Sequence, residues 1–387
     1  MSTIVVSGAL ANKPANGGAT WTRLSWALGL KRLGHQVFFV EQISPEVCAH
    51  AGARTDFERS NNVAYFRTVM DRFGLGDASA LVLEGGNRTV GLTWDELCYV
   101  ASHADLLVNI SGHLVIKSLK DRVRRRIFID LDPGYTQFWH EQNLASDRLR
   151  DHHLYFTVGE NIGTSECTIP AAGIEWQPVR QPVVLEEWPL TRAPLHPMRY
   201  TTIASWRGPF GRVTHGQQVF GVKAHEFRKF RTLPSLSPHW FEIALDAHPA
   251  DGGDVEQLRQ NGWAIVDAPV VAGDPLAFRG YVQHSAAEFS VAQGIYVDTQ
   301  SGWFSDRSVR YLASGKPVLV QDTGFSRNYP VGRGLIAFST LEEAARGADL
   351  IAAEYEEHSR AARALAETYF DSDRVLTSLL KMTETDL

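Results

Sequence analysis

The feature that most constrains the fold is a regular alternation of apolar, strand-length runs with helical or loop segments. In the first half the runs cover residues 3–7, 36–41, 105–110, 126–131 and 153–158, and in the second half 200–204, 240–245, 263–266, 287–291 and 317–320. Apolar strands separated by helices are typical of parallel sheets that helices cover on both faces. The sequence therefore predicts an α/β protein.

The length of the chain and a proline-rich stretch predict two domains. A chain of 387 residues exceeds the size of one ordinary core. Residues 177–199 contain five prolines and little periodicity, which is typical of an interdomain linker. The strand and helix alternation restarts after this stretch, and residues 340–387 are almost entirely helical in pattern. We therefore expect two doubly wound α/β domains that face a cleft.

Composition excludes several classes of function. The formal net charge of -6 argues against a nucleic-acid-binding surface. Cys48, Cys98 and Cys167 are isolated, as expected of reduced thiols in a cytoplasmic protein. The chain shows neither a signal-peptide pattern at its start nor an apolar stretch near the roughly 20 residues that span a bilayer. We expect a cytoplasmic protein without nucleic-acid partners or transmembrane segments.

The segment from Gln300 to Asp322 indicates a site for an anionic ligand. It has the pattern of a loop, a helix that opens near Ser305, a Gly-Lys-Pro turn and a buried strand. The amide-rich start of a helix beside the carboxyl ends of parallel strands favours phosphate. We expect a nucleotide diphosphate here, near Ser301, Gly302, Trp303, Phe304, Ser305, Asp306 and Arg307.

A second glycine-containing loop follows the first strand. Gly17 and Gly18 would let the backbone approach a ligand closely, although glycines that only form the turn are the alternative. The loop matches neither the G-x-G-x-x-G fingerprint nor the Walker A pattern. Glu41 closes the second strand, where a Rossmann domain would hold an adenosine ribose.

Three motifs carry a resemblance to a known family. The loop with Gly17 and Gly18, the phrase Leu30-Lys-Arg-Leu-Gly-His-Gln-Val37 and the phrase Ala313-Ser-Gly-Lys-Pro-Val318 are similar to GT-B glycosyltransferases that use nucleotide-sugars. The resemblance implies a GT-B fold, with two Rossmann-like domains and C-terminal helices that cross back. The expected boundaries are 1–190 for acceptor binding, 191–355 for nucleotide-sugar binding, and 356–387 for helices that pack on the N-terminal domain.

The resemblance also implies further donor-binding residues. These are Trp206, Arg207, Lys223 and Asp267, which follow strands of the second half. One departure concerns two glutamates, eight residues apart, that many retaining members carry around the last loop. Gly302 and Arg310 stand at those positions, so the contacts of the glutamates cannot be transferred. We expect Asp306 to take a role similar to that of one glutamate, and Arg307 or Arg310 to contact phosphate. The alternative is that these three are solvated helix residues.

Candidate catalytic residues follow strands of the first half. His113 and Asp132 come directly after two buried strands and are expected to deprotonate an acceptor. Asp132 alternatively serves only as a turn residue, and Glu160 is a third candidate. Asp130 and Asp132 form a D-x-D pattern, but GT-B catalysis generally works without metal. We expect no metal and no cofactor besides the nucleotide-sugar co-substrate.

The resulting functional hypothesis is a glycosyltransferase of the hexosyl type. Its donor would be a UDP- or TDP-sugar and its acceptor a small molecule, a natural product among the possibilities. Tyr135, Phe138, Trp139 and Trp94 are candidates to line the acceptor pocket. The alternatives are a GT-B-like nucleotide-sugar 2-epimerase and a catalytically silent GT-B-like partner protein. A homodimer is possible.

Overall fold

The computed structural model describes residues 1–85, 88–144, 146–192, 198–208 and 210–384. In the first half of the chain the strands are β1 (Thr3–Ser7), β2 (Gln36–Ile43), β3 (Ala49–His50), β4 (Ala53–Arg54), β5 (Ser79–Leu83), β6 (Thr89–Gly91), β7 (Leu106–Ile110), β8 (Arg125–Asp130), β9 (Leu154–Thr157) and β10 (Trp176–Pro178). In the second half they are β11 (Arg199–Ser205), β12 (Val213–His215), β13 (Gln218–Phe220), β14 (Trp240–Asp246), β15 (Ala264–Asp267), β16 (Ala287–Ser290), β17 (Val318–Gln321) and β18 (Leu335–Phe338).

Helices connect most of these strands. They are α1 (Gly17–Arg32), α2 (Asn61–Arg72), α3 (Trp94–His103), α4 (Lys117–Lys120), α5 (Tyr135–Glu141), α6 (Ser146–Leu149), α7 (Lys223–Phe227), α8 (Gly252–Gln260), α9 (Ala268–Ala272), α10 (Pro275–Gln283), α11 (Gly294–Asp298), α12 (Asp306–Ala313), α13 (Leu341–Ala353), α14 (Tyr355–Leu365) and α15 (Ser372–Glu384). None of the helices in the described ranges is long and apolar enough to cross a membrane.

Two large sheets organise the chain. The first has the strand order β10-β9-β8-β7-β1-β2-β5-β6, and the second has the order β15-β14-β11-β16-β17-β18. All the pairs are parallel except the antiparallel pair of β5 with the edge strand β6. In both sheets the first strand lies inside, so the strand order reverses next to it. Such switch points place ligand sites at the carboxyl ends of the strands.

The sequence pattern locates the central strands within about two residues, but it misses several peripheral elements. The strands β5, β6 and β18 and the helix α11 are absent from the prediction, because their runs are short and adjoin turn residues. Of residues 267–271, expected as a loop, Asp267 ends β15 and residues 268–271 form most of the short helix α9. The predicted linker begins inside β10, and its residues 193–197 lie outside the described ranges. The domain boundaries remain predictions.

A short hairpin of the second half reaches across to the first. β12 and β13 form an antiparallel pair between β11 and α7. Phe220 of this hairpin stacks on Phe138 of α5, with ring centroids 5.3 Å apart. His215 Nε2 lies 2.7 Å from Glu141 Oε2 at the end of the same helix. The hairpin therefore joins the two sheets at one side of the space between them.

The last helix, α15, packs against α1 near the start of the chain. A Cβ atom on Gly29 of α1 would lie 2.5 Å from Leu376 Cδ1 and 2.9 Å from Ser372 Cβ. Leu376 is fully buried at this contact. Glycine at position 29 thus permits a close approach of the two helices, which outweighs its low helix propensity.

This close approach predicts opposite effects for two helical glycines. Gly29→Ala should lower the free energy of unfolding by about 1–2 kcal/mol, because the added methyl group overpacks the contact with α15. Gly280→Ala in α10 meets nothing within 4 Å and should raise it by up to about 1 kcal/mol through helix propensity. Denaturant unfolding of both variants tests the contact. Equal stabilisation by the two substitutions would contradict the close packing of α1 on α15.

Candidate functional site

A cavity of about 450 Å³ lies between the two sheets, at the carboxyl ends of their strands. The first half contributes Ala9, Lys13, Ala15, Asn16, Gly18, Ala19, Thr22, Arg23, Leu131, Asp132 and Gln181. The second half contributes Ile203, Ala204, Ser205, Phe210, Lys223, Asp246, Ala268, Pro269, Ala272, Phe278, Gln293, Tyr296, Trp303, Ser305, Asp306 and Arg307. Both switch points therefore face one shared space.

The loop between β1 and α1 is held by a buried carboxylate. Glu41 at the end of β2 accepts hydrogen bonds from the backbone N–H groups of Ala11 and Asn12, at 2.8 and 2.7 Å. Burial raises the pKa of Glu41 to about 7, although these hydrogen bonds act in the opposite direction. Both carboxylate oxygens of Glu41 accept hydrogen bonds from the loop, so Glu41 holds the loop in place. Glu41 does not line the cavity.

The start of α1 has two glycines with different surroundings. Asn16 caps the helix by accepting a hydrogen bond from the Ala19 N–H at 3.0 Å. Gly18 lines the cavity, as the sequence suggests. Gly17 instead faces the backbone of the second half, where an added Cβ would lie 2.3 Å from the Asp274 carbonyl oxygen. Gly17 thus permits backbone contact between the two halves.

The start of α12 also reaches the cavity. Ser305 caps this helix and lines the space, together with Asp306 and Arg307. The Arg307 guanidinium donates to Glu288 Oε1 at 2.6 Å, to the Ile203 carbonyl at 2.7 Å and to Ser290 Oγ at 2.7 Å. These contacts use three of its five N–H groups, so Arg307 is fixed in position and keeps two donors.

A carboxylate joins α12 to α1. Asp306 Oδ2 accepts a hydrogen bond from Thr22 Oγ1 of α1 at 2.6 Å and an ion pair from Arg310 Nη1 at 2.5 Å. Burial alone would raise the pKa of Asp306, but the Arg310 charge and the Thr22 hydroxyl hold this pKa below its usual value. Arg310 is itself almost fully buried and does not line the cavity. It therefore serves as the partner of Asp306.

Position 302 cannot hold a glutamate side chain in this arrangement. Gly302 has φ +75° and lies against Asn161, whose Cγ would be 2.7 Å from an added Cβ. The Asn161 side-chain amide donates to the carbonyls of Gln300 and Gly324, at 3.0 and 3.1 Å. A loop of the first half thus fills the space beside Gly302.

Lys223 is a cation in the cavity that is free to bind a ligand. It lies at the first position of α7, and in the described part of the chain no hydrogen bond or ion pair engages its ammonium group. Burial, assisted by the charge of Arg307, lowers the pKa of Lys223 to about 7. An unpaired and partly desolvated ammonium group beside a second cation is suited to bind an anion.

Asp130 and Asp132 follow the same strand but have different roles. Asp130 is fully buried and accepts hydrogen bonds from Thr136 Oγ1, Gln137 Nε2 and Thr157 Oγ1, at 2.6, 2.9 and 2.7 Å. Asp132 lines the cavity, and burial together with the Asp130 charge raises its pKa to about 7. Asp132 therefore has the position and the pKa of a general base, whereas Asp130 stabilises the loop.

The other two candidate bases point elsewhere. His113 does not line the cavity; its Nε2 lies 4.0 Å from Glu41 Oε1, and burial lowers its pKa to about 3. Glu160 accepts a short hydrogen bond from the Tyr329 hydroxyl and pairs with Arg180 at 3.2 Å. Both side chains belong to internal contacts.

Several of the sequence-predicted donor residues lie behind the cavity wall or outside it. Trp206 is buried and donates to Asp254, Arg207 is exposed and pairs with Asp251, and Asp267 is an exposed residue before α9. Ser301 and Phe304 are buried, the latter stacked on Phe370. By contrast Gly18, Asp132, Lys223, Trp303, Ser305, Asp306 and Arg307 meet at the cavity.

The structure also adds residues that the sequence pattern does not single out. Arg23 of α1 and Gln293, Tyr296 and Phe210 of the second half line the cavity. Gln293 accepts a hydrogen bond from the Tyr135 hydroxyl at 2.8 Å. Arg23 lies five residues after Gly18, inside the helix that follows the loop. This position is the only local feature of the sequence that could have indicated a role for Arg23 in the site.

The aromatic residues proposed for the acceptor separate into two groups. Tyr135, Phe138 and Trp139 belong to one cluster on α5, and Phe210 packs against Tyr135 with ring centroids 4.8 Å apart. Trp94 packs in a different apolar cluster. Within the described ranges, no group of three or more His, Cys, Asp or Glu residues is arranged to hold a metal ion.

Three solved structures with a similar fold are distant from this chain in sequence. HepE of Anabaena, in complex with UDP-glucose, has a TM-score of 0.61 and 12% identity, with both chains covered completely. Sucrose-phosphate synthase of Thermosynechococcus elongatus has a TM-score of 0.57 and 11% identity, over 100% of this chain and 99% of that one. AviGT4, a glycosyltransferase involved in avilamycin A biosynthesis, has a TM-score of 0.53 and 12% identity, over 99% and 97%.

Neither a protein-family model nor a curated protein sequence matches the chain. The structural similarity nevertheless extends over the full length of both halves and confirms the fold class that the sequence predicts. The two parallel sheets, the shared cavity at their carboxyl ends and these neighbours identify the fold of the chain as that of the GT-B glycosyltransferases.

Proposed function

We propose that the protein is a glycosyltransferase that moves a sugar from a nucleotide-sugar donor to a hydroxyl group of a small-molecule acceptor. The observation that carries this proposal is the cavity between the sheets, where the start of α12 and the unpaired Lys223 face the same space. Helix N-termini and cations together favour a diphosphate. The similar fold of HepE, whose structure contains UDP-glucose, supports a UDP-sugar as donor.

The donor diphosphate would bind between α7 and α12. Lys223 would contribute its ammonium group, and Arg307 the two N–H groups that its internal contacts leave free. Because a diphosphate leaving group gains negative charge during glycosyl transfer, these cations would stabilise the transition state more than the ground state. Arg207 lies outside the cavity, so we assign it no contact with the diphosphate.

The acceptor hydroxyl would be deprotonated by Asp132. Its carboxylate faces the cavity from the first half, opposite α12, and its pKa of about 7 lets it act as a base near neutral pH. Phe210 and Tyr296 line the same space and offer apolar contact for the acceptor. A natural product with an aromatic or apolar part is therefore one candidate for the acceptor.

The diphosphate assignment predicts a contrast between two cations. Lys223→Gln should weaken binding of UDP-glucose about tenfold or more, because a charge-assisted contact with the diphosphate is lost. Arg207→Ala is the matched comparison, and its effect should stay below about threefold, contrary to the expectation from sequence alone. Isothermal titration calorimetry measures both. A strong effect of Arg207→Ala with none for Lys223→Gln would overturn the assignment.

The low pKa of Lys223 predicts that donor binding depends on pH. The free protein loses the Lys223 proton near pH 7, and a bound diphosphate requires this proton. Affinity for UDP-glucose, whose diphosphate keeps a constant charge in this range, should therefore fall as the pH rises from about 7 to about 9. The Lys223→Gln variant should lose most of this slope. An equal slope in both proteins would show that another group titrates.

The base assignment predicts a loss of turnover without a loss of binding. Asp132→Asn should lower the rate of UDP release from UDP-glucose by about 10²–10⁴-fold, because the general base is removed. In the unchanged protein the rate should rise with pH through about 7, as Asp132 loses its proton. His113→Gln is the comparison, and it should change the rate less than about threefold. A larger effect of His113→Gln would instead support His113 as the base.

The assay of UDP release from UDP-glucose, with and without an acceptor, also separates the alternative functions. A 2-epimerase would isomerise the free nucleotide-sugar without releasing UDP when no acceptor is present. A silent partner protein would bind UDP-glucose and show neither reaction. Release of UDP together with a glycosylated acceptor supports the transferase.

A further inference from the structure

Arg23 is a cation in the cavity that the proposed donor contacts do not use. It lies in the second turn of α1. Its aliphatic part packs closely on Gly8, where an added Cβ atom would lie 2.9 Å from the Arg23 Cγ. In the described part of the chain its one hydrogen bond joins Nη1 to the Ala19 carbonyl, at 3.2 Å. Its Nε is shielded from solvent and has no hydrogen-bond partner. A partly buried guanidinium group whose shielded Nε has no partner is unusual.

Two of the three carboxylates near Arg23 are committed to other contacts. Asp306 pairs with Arg310 and accepts from Thr22, and Glu41 accepts from the loop N–H groups of Ala11 and Asn12. The third carboxylate, that of Asp132, forms no ion pair with Arg23 within 4 Å. Burial lowers the pKa of Arg23 even though Asp132, Asp306 and Glu41 act in the opposite direction.

A second cation extends this positive surface toward the opening. Lys13, in the loop before α1, is exposed and lines the cavity. No hydrogen bond or ion pair joins its ammonium group to a residue of the described ranges. Arg23 in the wall and Lys13 at the rim therefore form a cationic surface of the first half, facing Lys223 and Arg307 of the second half.

We propose that Arg23 binds an anionic group of a substrate, a carboxylate or a phosphate, and that this group is not the donor diphosphate. The planar guanidinium group matches such an anion through paired N–H donors. The anion belongs either to the transferred sugar, as in a nucleotide-uronic acid, or to the acceptor, as in a sugar phosphate. This proposal rests on the proposed transferase function and narrows its substrate class.

Calorimetry with two matched ligand pairs tests the proposal. The first pair is UDP-glucuronate and UDP-glucose, and the second is glucose 6-phosphate and glucose, measured with and without saturating UDP. If the sugar carries the anion, the unchanged protein should bind UDP-glucuronate about 10- to 100-fold more tightly than UDP-glucose. If the acceptor carries it, the same preference should appear for glucose 6-phosphate over glucose.

Two variants assign the preference to the side chain. Arg23→Gln should remove the preference for the anionic ligand and leave the affinity for UDP within about threefold. Arg67→Gln, on the exposed face of α2, is the control and should retain the preference. Circular dichroism and the retained UDP affinity show that the Arg23 variant is folded.

The outcomes separate this proposal from the donor assignment. Absence of UDP binding in the unchanged protein would overturn the proposed function, while the glucose 6-phosphate pair without UDP would still test Arg23. The absence of a preference for either anionic ligand, or a preference that persists in Arg23→Gln, would overturn the role of Arg23.

Discussion

The interaction on which the site depends is made by the partly buried carboxylate of Asp306, which joins α12 to α1. Its Oδ2 atom accepts a hydrogen bond from Thr22 of α1 and pairs with Arg310 of α12, so it fixes the start of α12 relative to the first half. An unpaired charge in this position would be costly, whereas the Arg310 pair and the hydroxyl satisfy it. The helix cap Ser305 and the cation Arg307 flank Asp306 in sequence, so this contact places the helix start that carries them, while the Arg307 guanidinium is held by its own hydrogen bonds.

Two local contacts explain why the segment around α12 lacks the two glutamates that the sequence resemblance would lead one to expect. A glutamate at position 310 would remove the partner of Asp306, and a side chain at position 302 would collide with Asn161. The chain therefore keeps the helix start and the Gly-Lys-Pro turn of the fold but distributes its charges differently. In the proposed function, Lys223 and Arg307 have the main electrostatic role, and the acidic residue at the helix start is structural.

The sequence predicts the fold far better than the site, and the residues show why. Central strands such as β1 and β7 are local apolar runs, and Gly34, at φ +86°, follows α1 as expected. The site depends on contacts that are distant in sequence. Nothing near Glu41 indicates that it anchors residues 11 and 12, and nothing near Arg23 indicates that it lacks an ion-pair partner. From their places in the sequence, Arg207 and Lys223 are equivalent candidates for donor binding, although only Lys223 faces the cavity.

The two halves contact each other on more than one side of the cavity. The hairpin of β12 and β13 lies against α5 on one side, and Asn161 binds the carbonyls of Gln300 and Gly324 on another. Separation of some of these contacts would widen the cavity, and their re-formation around a bound substrate would narrow it. The lifetime of the bound product would then depend on how quickly aromatic stacking and a few hydrogen bonds break. In an enzyme that opens and closes in this way, opening can limit turnover even when the chemical step is fast.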